Sequence, residues 1–270
     1  MNYGFLGTGN MASAIINGLI KKGKPGKDIL IFDVFAPAME KLKNEYGCVP
    51  MESQEALVAN CDVLFLSVKP NILDKVLPSL KRNVGYKDPL IISIAVGKTL
   101  GYLEDGFGKD KKIVRVMPNI NAKVMQSTSG YCCNGNVTEN DEKVVIELFS
   151  SVGTVTKVPE HLFSIFGVLA GSSPAFAYMY IDSLARAAQK AGMPKAQALE
   201  ITASTVLGSA KMILESADHP WQLIDNVCSP GGTTIEGVSA LENNNFQATL
   251  TKAFDAVLEK DHKIQESANK

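Results

Sequence analysis

Short runs that are apolar almost throughout alternate with amphipathic stretches over the first 159 residues. Such runs are typical of strands that helices cover on both faces of a parallel sheet. They predict strands at residues 3–7, 29–33, 62–68, 90–96, 112–117, 127–134 and 154–159. The stretches between them have helical spacing and the length that crossovers need, which predicts helices at residues 11–22, 37–46, 72–81 and 139–151. This part of the chain is therefore predicted to form a doubly wound α/β sheet.

After Pro159 the pattern changes to helical periodicity alone. Ala, Leu, Gln, Glu and Lys dominate, and helices are predicted at residues 173–191, 194–216, 220–227, 233–242 and 245–267. Pro174 and Pro194 lie where a first helical turn tolerates proline, and Gly192 lies where a helix can end. We therefore predict two domains, an α/β domain over residues 1–160 and an all-α domain over residues 161–270.

Composition and charge exclude several classes of protein. The 270 residues include 46% hydrophobic and 20% charged positions, an ordinary globular mixture. With 27 Lys and Arg against 28 Asp and Glu, the net charge is −1, so no basic excess is available for nucleic acid. The longest apolar runs are far shorter than the ~20 residues of a membrane span. We expect neither a nucleic-acid partner nor a membrane partner.

Cysteine and histidine usage indicates reduced thiols and no metal. The five cysteines form no CxxC pair, and the three histidines are scattered along the chain. We interpret the adjacent Cys132 and Cys133, which lie in a strand-like run, as core residues in preference to a redox pair. The amino-terminal residues have no basic region before an apolar stretch, so they do not resemble a secretory signal. These features predict a cytoplasmic protein.

Residues 7–12, GTGNMA, follow the first predicted strand and open the first predicted helix. This arrangement matches the GxGxxG/A fingerprint of dinucleotide-binding sites. Gly7 permits a tight turn, Gly9 lets the backbone approach a pyrophosphate, and Ala12 allows the helix to pack closely on the strand. A plain structural turn is the alternative. The position at the head of a βαβ unit favours a Rossmann-like dinucleotide-binding domain.

Asp33 ends the second predicted strand. An acidic residue there accepts hydrogen bonds from the ribose hydroxyls of NAD, whereas NADP sites usually offer a cation to the 2′-phosphate. None of the three arginines, Arg82, Arg115 and Arg186, lies near this position in the sequence. Asp33 therefore favours NADH, and the alternative is that it caps the following helix.

Three more motifs follow predicted strands: SVKPN at residues 67–71, SIAVG at 93–97 and RVMPN at 115–119. Ligands of doubly wound sheets bind at the carboxyl ends of strands, so these motifs are candidates for a cofactor site. Lys69 offers a cation to a ribose or phosphate group. A simple strand-end turn is the alternative for each of them.

Two motifs stand out in the helical part, GSSPAF at residues 171–176 and CSPGGTTIEG at 228–237. The Pro-Gly-Gly sequence predicts a turn that opens a helix near Thr233. Two adjacent hydroxyls beside the N–H groups of a helix amino terminus suit a carboxylate ligand. A helix cap without a ligand is the alternative.

The chain resembles the pyrroline-5-carboxylate reductase family over essentially its whole length. The resemblance is carried by GFLGTGNMA, DVLFLSVKP, SIAVG, RVMPN, GSSPAF and DNVCSPGGTTIEG, in that order. The last motif is the most specific, because it separates this family from other Rossmann reductases. The resemblance implies NAD(P)H-dependent reduction of L-Δ1-pyrroline-5-carboxylate to L-proline, the last step of proline biosynthesis. It also implies homodimers formed through the helical domains, commonly assembled further into decamers.

The resemblance also implies roles for particular residues. Thr234 would be the catalytic residue, donating a hydrogen bond to the ring nitrogen of the substrate. The implied substrate-binding residues are Asn226, Ser229, Gly232, Thr233 and Thr234. The implied cofactor-binding residues are Leu6, Gly7, Thr8, Gly9, Asn10, Met11, Asp33, Gln54, Val68, Lys69, Pro70, Ala95 and Asn226. The sequence departs from the family at Gln54 and around Asp33, so the cofactor is NADH or NADPH: the family commonly uses NADPH, and Asp33 favours NADH.

Two other functions are compatible with a Rossmann-like domain. A β-hydroxyacid dehydrogenase would carry a catalytic lysine in a G-x-x-G-x-x-x-K-x-x-N setting, and residues 208–211, GSAK, do not supply that pattern. A protein that only binds or senses NAD(H) would not need the SPGGTT segment. Both are less favoured than the reductase.

Overall fold

The computed structural model describes residues 1–268, and the side chains of all of these except residues 85, 86 and 266–268. The strands are β1 Tyr3–Leu6, β2 Ile29–Phe32, β3 Val49–Pro50, β4 Val63–Leu66, β5 Leu90–Ser93, β6 Ile113–Met117, β7 Ser127–Cys133 and β8 Gly153–Lys157. The first helices are α1 Asn10–Lys21, α2 Ala36–Tyr46, α3 Gln54–Asn60, α4 Pro70–Lys87, α5 Leu100–Phe107 and α6 Glu139–Phe149. They are followed by α7 Phe163–Phe166, α8 Ser173–Lys190, α9 Lys195–Glu215, α10 Pro220–Val227, α11 Thr233–Asn243 and α12 Phe246–Ala268.

The strands of the described residues form one sheet with the order β3-β2-β1-β4-β5-β6-β7-β8. All neighbouring strands are parallel except β6 and β7. After β1 the chain runs outward to β2 and β3 and then returns to place β4 on the other side of β1. The strand order therefore reverses between β1 and β4, which makes this the switch point of the sheet. The predicted Rossmann-like, doubly wound sheet is confirmed.

Burial on both faces explains why a central strand such as β4 is apolar at every position. Successive strand residues point to opposite faces of a sheet. In β4, Phe65 packs into the core on one face, where its ring is stacked on Phe5 at a centroid distance of 4.3 Å. Its neighbours Leu64 and Leu66 belong to the core on the other face, together with Leu103 of α5. Helices cover both faces, so no position in the strand can be polar without cost.

The apolar pattern did not predict three short elements within the first 159 residues. Strand β3 has only two residues, and α3 and α5 have seven and eight. Helices of this length are marginal on their own and depend on caps and tertiary packing. The caps are present: Ser53 and Thr99 precede α3 and α5, and their side chains accept hydrogen bonds from the backbone N–H groups of Ala56 and Tyr102.

The described residues divide into two compact units. The first comprises Met1–Gly171 and the carboxyl-terminal residues from Asp261 onward, and the second comprises Ser172–Lys260. The second is entirely helical over its described length. The predicted domain boundary at residue 160, and the assignment of substrate binding and dimerisation to the helical domain, stay predictions.

Large apolar side chains are exposed on the helical unit. Leu214 is 86% exposed, and Met179 and Leu207 are also exposed.

Among the described residues, one helical stretch, Glu160–Lys190, is long and apolar enough to cross a membrane by length and composition alone. A single stretch of this kind is weak evidence for a membrane span, because core helices of soluble proteins have the same properties.

Candidate functional site

The turn that follows β1 passes very close to the end of β4. Gly7 has φ +95°, and a Cβ atom added to it would lie 2.9 Å from the carbonyl carbon and oxygen of Ser67. The N–H of Gly7 donates to the carbonyl oxygen of Phe32 at 2.8 Å, and the Ser67 hydroxyl lies 2.8 Å from the Gly7 carbonyl oxygen. Both the backbone conformation and the available space therefore require glycine at position 7.

The amino terminus of α1 is open. Gly9 is the N-cap residue, and no side chain caps the helix there. A Cβ atom added to Gly9 would meet no atom within 4 Å. The first N–H groups of a helix have no partner within the helix and carry a partial positive charge. The space over Gly9 and these N–H groups fit the pyrophosphate of a dinucleotide.

A cavity of about 340 Å³ lies beside this helix end, at the switch point of the sheet. The segments that follow β1, β4, β5 and β6 line it, so the structure brings together the glycine motif and the three strand-end motifs. The predicted cofactor residues in its wall are Gly9, Asn10, Met11, Val68, Lys69, Pro70 and Ala95. Its other lining residues are Ser67, Ile94, Val96, Arg115, Val116, Met117 and Pro118. Leu6, Gly7 and Thr8 are not among the residues that line the cavity.

Asp33 holds the glycine turn. Its Oδ2 atom accepts hydrogen bonds from the backbone N–H of Thr8 at 2.7 Å and from the Thr8 hydroxyl at 2.9 Å. Its Oδ1 atom accepts from the backbone N–H of Phe35 at 2.9 Å. Asp33 is therefore bonded within the protein through both carboxylate oxygens, and its role toward ribose stays a prediction.

Gln54 lies in a separate polar group on α3 and α4. Its Nε2 atom donates to the hydroxyl of Ser79 at 2.7 Å and to the carboxylate of Glu55 at 3.2 Å. The backbone N–H of Glu55 and then the side chain of Gln54 lower the pKa of Glu55 to about 2. Glu55 is thus an anion at neutral pH, and the predicted contact of Gln54 with the cofactor stays a prediction.

Asn119 of the RVMPN motif bonds one backbone group in the π-helical turn Gly167–Ser172 and another in β7. Its Nδ2 atom donates to the carbonyl oxygen of Ala170 at 3.0 Å, and its Oδ1 atom accepts from the N–H of Thr128 at 3.3 Å. Asn119 is buried, so these bonds account for its polar side chain. Structural support is therefore an adequate explanation for Asn119.

Cys132 and Cys133 behave as packing residues. Burial raises the pKa of Cys132 to about 12 and that of Cys133 to about 11. Because the thiolate is the reactive form of cysteine, neither is poised for nucleophilic or redox chemistry near neutral pH. Among the described residues, no group of three or more His, Cys, Asp and Glu side chains could hold a metal ion.

The helical unit contains a second cavity, of about 470 Å³, between α9, α10 and α11. Thr234 and Asn226 line it, and most of its wall is apolar, including Met212, Leu223 and Val238. The Oδ1 atom of Asn226 accepts a hydrogen bond from Gln222 at 3.0 Å. The structure therefore places two of the predicted substrate residues in the same cavity.

The remaining predicted substrate residues form the turn before α11. Gly232 is the N-cap of this helix, no side chain caps it, and Thr233 is the first helical residue. The N–H of Gly232 donates to the carbonyl oxygen of Ser229 at 2.9 Å, and Gly231 has φ +67°. Hydroxyl groups and uncapped N–H groups are thus close together at one helix end, a combination that suits an anion.

Arg115 is a cavity residue that the sequence analysis did not single out as a site residue. It lies in β6, is only 5% exposed, and lines the cavity at the switch point. Lys and Arg are almost never fully buried unless paired. A single arginine inside the apolar run KIVRVM is a signal that could have identified it.

A parallel sheet with a glycine turn and an open helix terminus at its switch point defines a Rossmann-like dinucleotide-binding protein. Residues 160–264 match the family model for pyrroline-5-carboxylate reductase dimerisation, and residues 2–97 match the model for coenzyme F420-dependent NADP oxidoreductases. The chain is 40% identical over 269 residues to pyrroline-5-carboxylate reductase of Escherichia coli, an alignment that covers 98% of each chain. The chain belongs to the pyrroline-5-carboxylate reductase family.

Solved structures of this family have the same fold. A pyrroline-5-carboxylate reductase from Coxiella burnetii superposes with a TM-score of 0.92 at 32% identity, covering 97% of each chain. The pyrroline carboxylate reductase of Plasmodium falciparum with NADP bound superposes with a TM-score of 0.87 at 33% identity, covering 98% of each chain. The agreement extends over both units of the chain.

Gly9→Ala tests the open helix terminus. We expect the melting temperature to be unchanged, because the added methyl group has free space in the protein. The dissociation constants for NADH and NADPH, measured by fluorescence titration, should rise roughly tenfold to a hundredfold, because such steric overlap costs about 1–3 kcal/mol. Gly101→Ala is the control: a Cβ atom there would lie 4.0 Å from the Thr99 hydroxyl, an ordinary contact, and Gly101 does not line the cavity. Unchanged nucleotide binding by Gly9→Ala would place the pyrophosphate elsewhere.

Proposed function

We propose that the protein catalyses the NAD(P)H-dependent reduction of L-Δ1-pyrroline-5-carboxylate to L-proline, the last step of proline biosynthesis. Membership of the family over nearly the full length of the chain is the observation that carries this proposal. The free thiols of all five cysteines support a cytoplasmic location.

The reaction needs orientation more than chemical activation by the protein. When bound, the reduced nicotinamide supplies a hydride to the carbon of the C=N bond, and the ring nitrogen ends protonated. A protonated imine is already a strong electrophile, so no covalent nucleophile is required. The task of the chain is to hold the ring in place and to stabilise the charge on its nitrogen.

The residues of the helical unit have the chemistry for that task. Thr234 lies in the first turn of α11, and its hydroxyl oxygen accepts a hydrogen bond from the protonated ring nitrogen, which stabilises the positive charge there. Ser229, Gly232 and Thr233, with the uncapped end of α11, hold the substrate carboxylate, because hydroxyl and N–H donors favour an anion at a helix amino terminus. Asn226 lies in the same cavity as Thr234 and contacts both substrate and cofactor in this proposal.

The nucleotide is held by the α/β unit. We assign its pyrophosphate to the turn of Leu6–Met11 and the first turn of α1, where the open space and uncapped N–H groups fit it. Val68, Lys69, Pro70 and Ala95 contact it from the cavity wall. Asp33 and Gln54 are assigned to its adenosine end.

The basic test is the oxidation of NADH or NADPH by purified protein when pyrroline-5-carboxylate is added. Turnover supports the proposal over a β-hydroxyacid dehydrogenase or a protein that only senses NAD(H). Pure, folded protein that binds the nucleotide but shows no turnover would contradict it.

Thr234→Ala is expected to lower kcat by about tenfold to a thousandfold, the effect of losing one positioned hydrogen-bonding group at a charged centre. Nucleotide affinity should stay the same, because Thr234 is assigned to the substrate alone. Thr234→Ser should restore most of the activity. Ser209→Ala is the matched control: Ser209 lines the same cavity, but its hydroxyl donates to the carbonyl oxygen of Thr205 within α9. Normal turnover by Thr234→Ala would remove this residue from the mechanism.

We propose a preference for NADH. Asp33 stands at the end of β2, and the next two residues, Val34 and Phe35, are exposed and apolar, so no cation follows it. A 2′-phosphate needs a guanidinium or ammonium group within reach. The first lysines after Asp33 along the chain, Lys41 and Lys43, lie 3.9 and 3.7 Å from the carboxylates of Glu45 and Glu40 on the same helix.

This preference predicts that kcat/KM with NADH exceeds kcat/KM with NADPH at saturating imine. An acidic residue facing the ribose disfavours the phosphate by about 1–3 kcal/mol, which corresponds to roughly tenfold to a hundredfold. The opposite ratio would mean that Asp33 only holds the turn through Thr8 and Phe35.

We propose that the protein is a homodimer at least, and that its dimers can assemble further, up to a decamer. The family model for dimerisation covers residues 160–264, and the helical unit exposes Leu207, Leu214 and Met179. A small helical unit that leaves such residues in water is stabilised when a second copy covers them. Light scattering at micromolar protein should give the mass of a dimer or a multiple of it. A fully active monomer would contradict the proposal.

A further inference from the structure

Two neighbouring segments form part of the cavity wall at the switch point. One is the loop between β5 and α5, residues 95–99, in which Ala95 and Val96 line the cavity and Gly97 has φ +78°. The other is the end of β6, from Arg115 to Pro118. A nucleotide binds more tightly when such segments are held in place before it arrives, because less ordering is then required on binding.

Glu160 connects these two segments although it does not line the cavity. Its Oε1 atom accepts a hydrogen bond from the backbone N–H of Leu100, directly after the 95–99 loop, at 2.7 Å. The same atom accepts a hydrogen bond from Nη1 of Arg115 at 3.0 Å. The guanidinium carbon also lies 4.5 Å from the centroid of the Phe163 ring. One carboxylate oxygen therefore joins both parts of the wall.

The other side of the 95–99 loop is held by a second charged group. Nζ of Lys98 lies 2.5 Å from Oδ1 of Asp74 on α4, and the hydroxyl of Tyr102 donates to the same oxygen. Lys98 is buried, and its ammonium lies 4.1 Å from the centroid of the Tyr102 ring. The loop is thus fixed from two directions by groups far apart in the sequence.

Stability alone does not explain why Arg115 and Glu160 are charged. Removing a guanidinium from water is costly, and well-packed apolar residues often replace a buried ion pair without loss of stability. A charge-assisted hydrogen bond does, however, impose a short distance and a direction. The pair of Arg115 and Glu160 therefore determines the geometry of the cavity wall.

We propose that Glu160 is a positioning residue for the nucleotide: through Leu100 and Arg115 it holds the 95–99 loop at the correct distance from the end of β6. The proposal rests on the proposed use of NAD(P)H, and its effect is on nucleotide binding. It does not depend on which imine is reduced.

The test compares Glu160→Ala with Glu160→Gln. In Glu160→Ala both hydrogen bonds are lost, and the dissociation constants for NADH and NADPH should rise roughly tenfold, the size expected for a lost charge-assisted bond. The KM for the nucleotide should rise with them, while the KM for the imine changes little. Glutamine keeps an oxygen at the same position, so Glu160→Gln should restore most of the affinity. Fluorescence titration without imine measures binding independently of turnover.

Glu147→Ala is the control for loss of an ion pair elsewhere in the same unit. Glu147 pairs with Lys24 at 3.0 Å, and neither residue lines the cavity. This variant should bind nucleotides like the unmodified protein, whatever its melting temperature. If Glu160→Ala lowers the melting temperature but leaves nucleotide affinity within twofold, Glu160 is a structural residue only and the proposal is overturned.

A second variant covers the case in which Glu160→Ala does not fold. Arg115→Lys keeps the charge but loses the planar guanidinium and its fixed reach. It should raise the nucleotide dissociation constant several-fold while the protein stays folded, and unchanged affinity would overturn the proposal. Loss of nucleotide affinity in these variants, together with no turnover of pyrroline-5-carboxylate by the unmodified protein, would reject the proposed function and leave the role of Glu160 standing.

Discussion

The close approach of the turn after β1 to the end of β4 is the constraint on which the nucleotide cavity depends. These two strands are neighbours at the switch point, so the chain leaving β1 must pass over the end of β4. It does so with Gly7 in a backbone conformation that residues with a side chain rarely adopt, and a Cβ atom at this position would lie 2.9 Å from the carbonyl group of Ser67. Because the turn is this tight, α1 begins at once, and its amino terminus faces the cavity. A bulkier turn would displace the helix and close the space over Gly9.

The two units differ in how far they bury their apolar residues. Helices within the same chain cover both faces of the sheet, which is why side chains such as Phe5 and Phe65 are completely buried. The helical unit leaves residues such as Leu214 exposed. Apolar surface of this kind is stabilised by association, so the sheet provides a core that is complete in one chain, while the helical unit favours an oligomer.

Charged groups have different functions on the surface and around the cavity. Exposed pairs such as Lys211 and Glu215, 3.6 Å apart on α9, contribute little to stability because water screens them. In the pairs made by Arg115 and Lys98 the cation is buried, and its carboxylate partner is distant in the sequence. These ion pairs hold the secondary-structure elements that they join at fixed distances from each other. The molecule thus uses buried charge where the position of a loop matters for binding.

Local sequence patterns were sufficient for most of the fold class and for part of the site. Continuous apolar runs predict strands covered on both faces, and the glycine motif predicts the turn at Gly7, because both depend on neighbouring residues. The two-residue strand β3 carries too little pattern to be recognised, since it exists through pairing with β2. The same limitation applies to α5, a short helix that its cap and the core stabilise.

Contacts between residues far apart in the chain were decided only by the tertiary structure. Asp33 was identified from its place at the end of a strand, but its bonds to Thr8 arise because β1 and β2 lie side by side. Glu160 lies 60 residues from Leu100 and 45 from Arg115, and no periodicity connects them. Periodicity reports which face of an element is buried, whereas a hydrogen bond requires two elements to be placed within about 3 Å of each other. That placement exists only once the chain has folded.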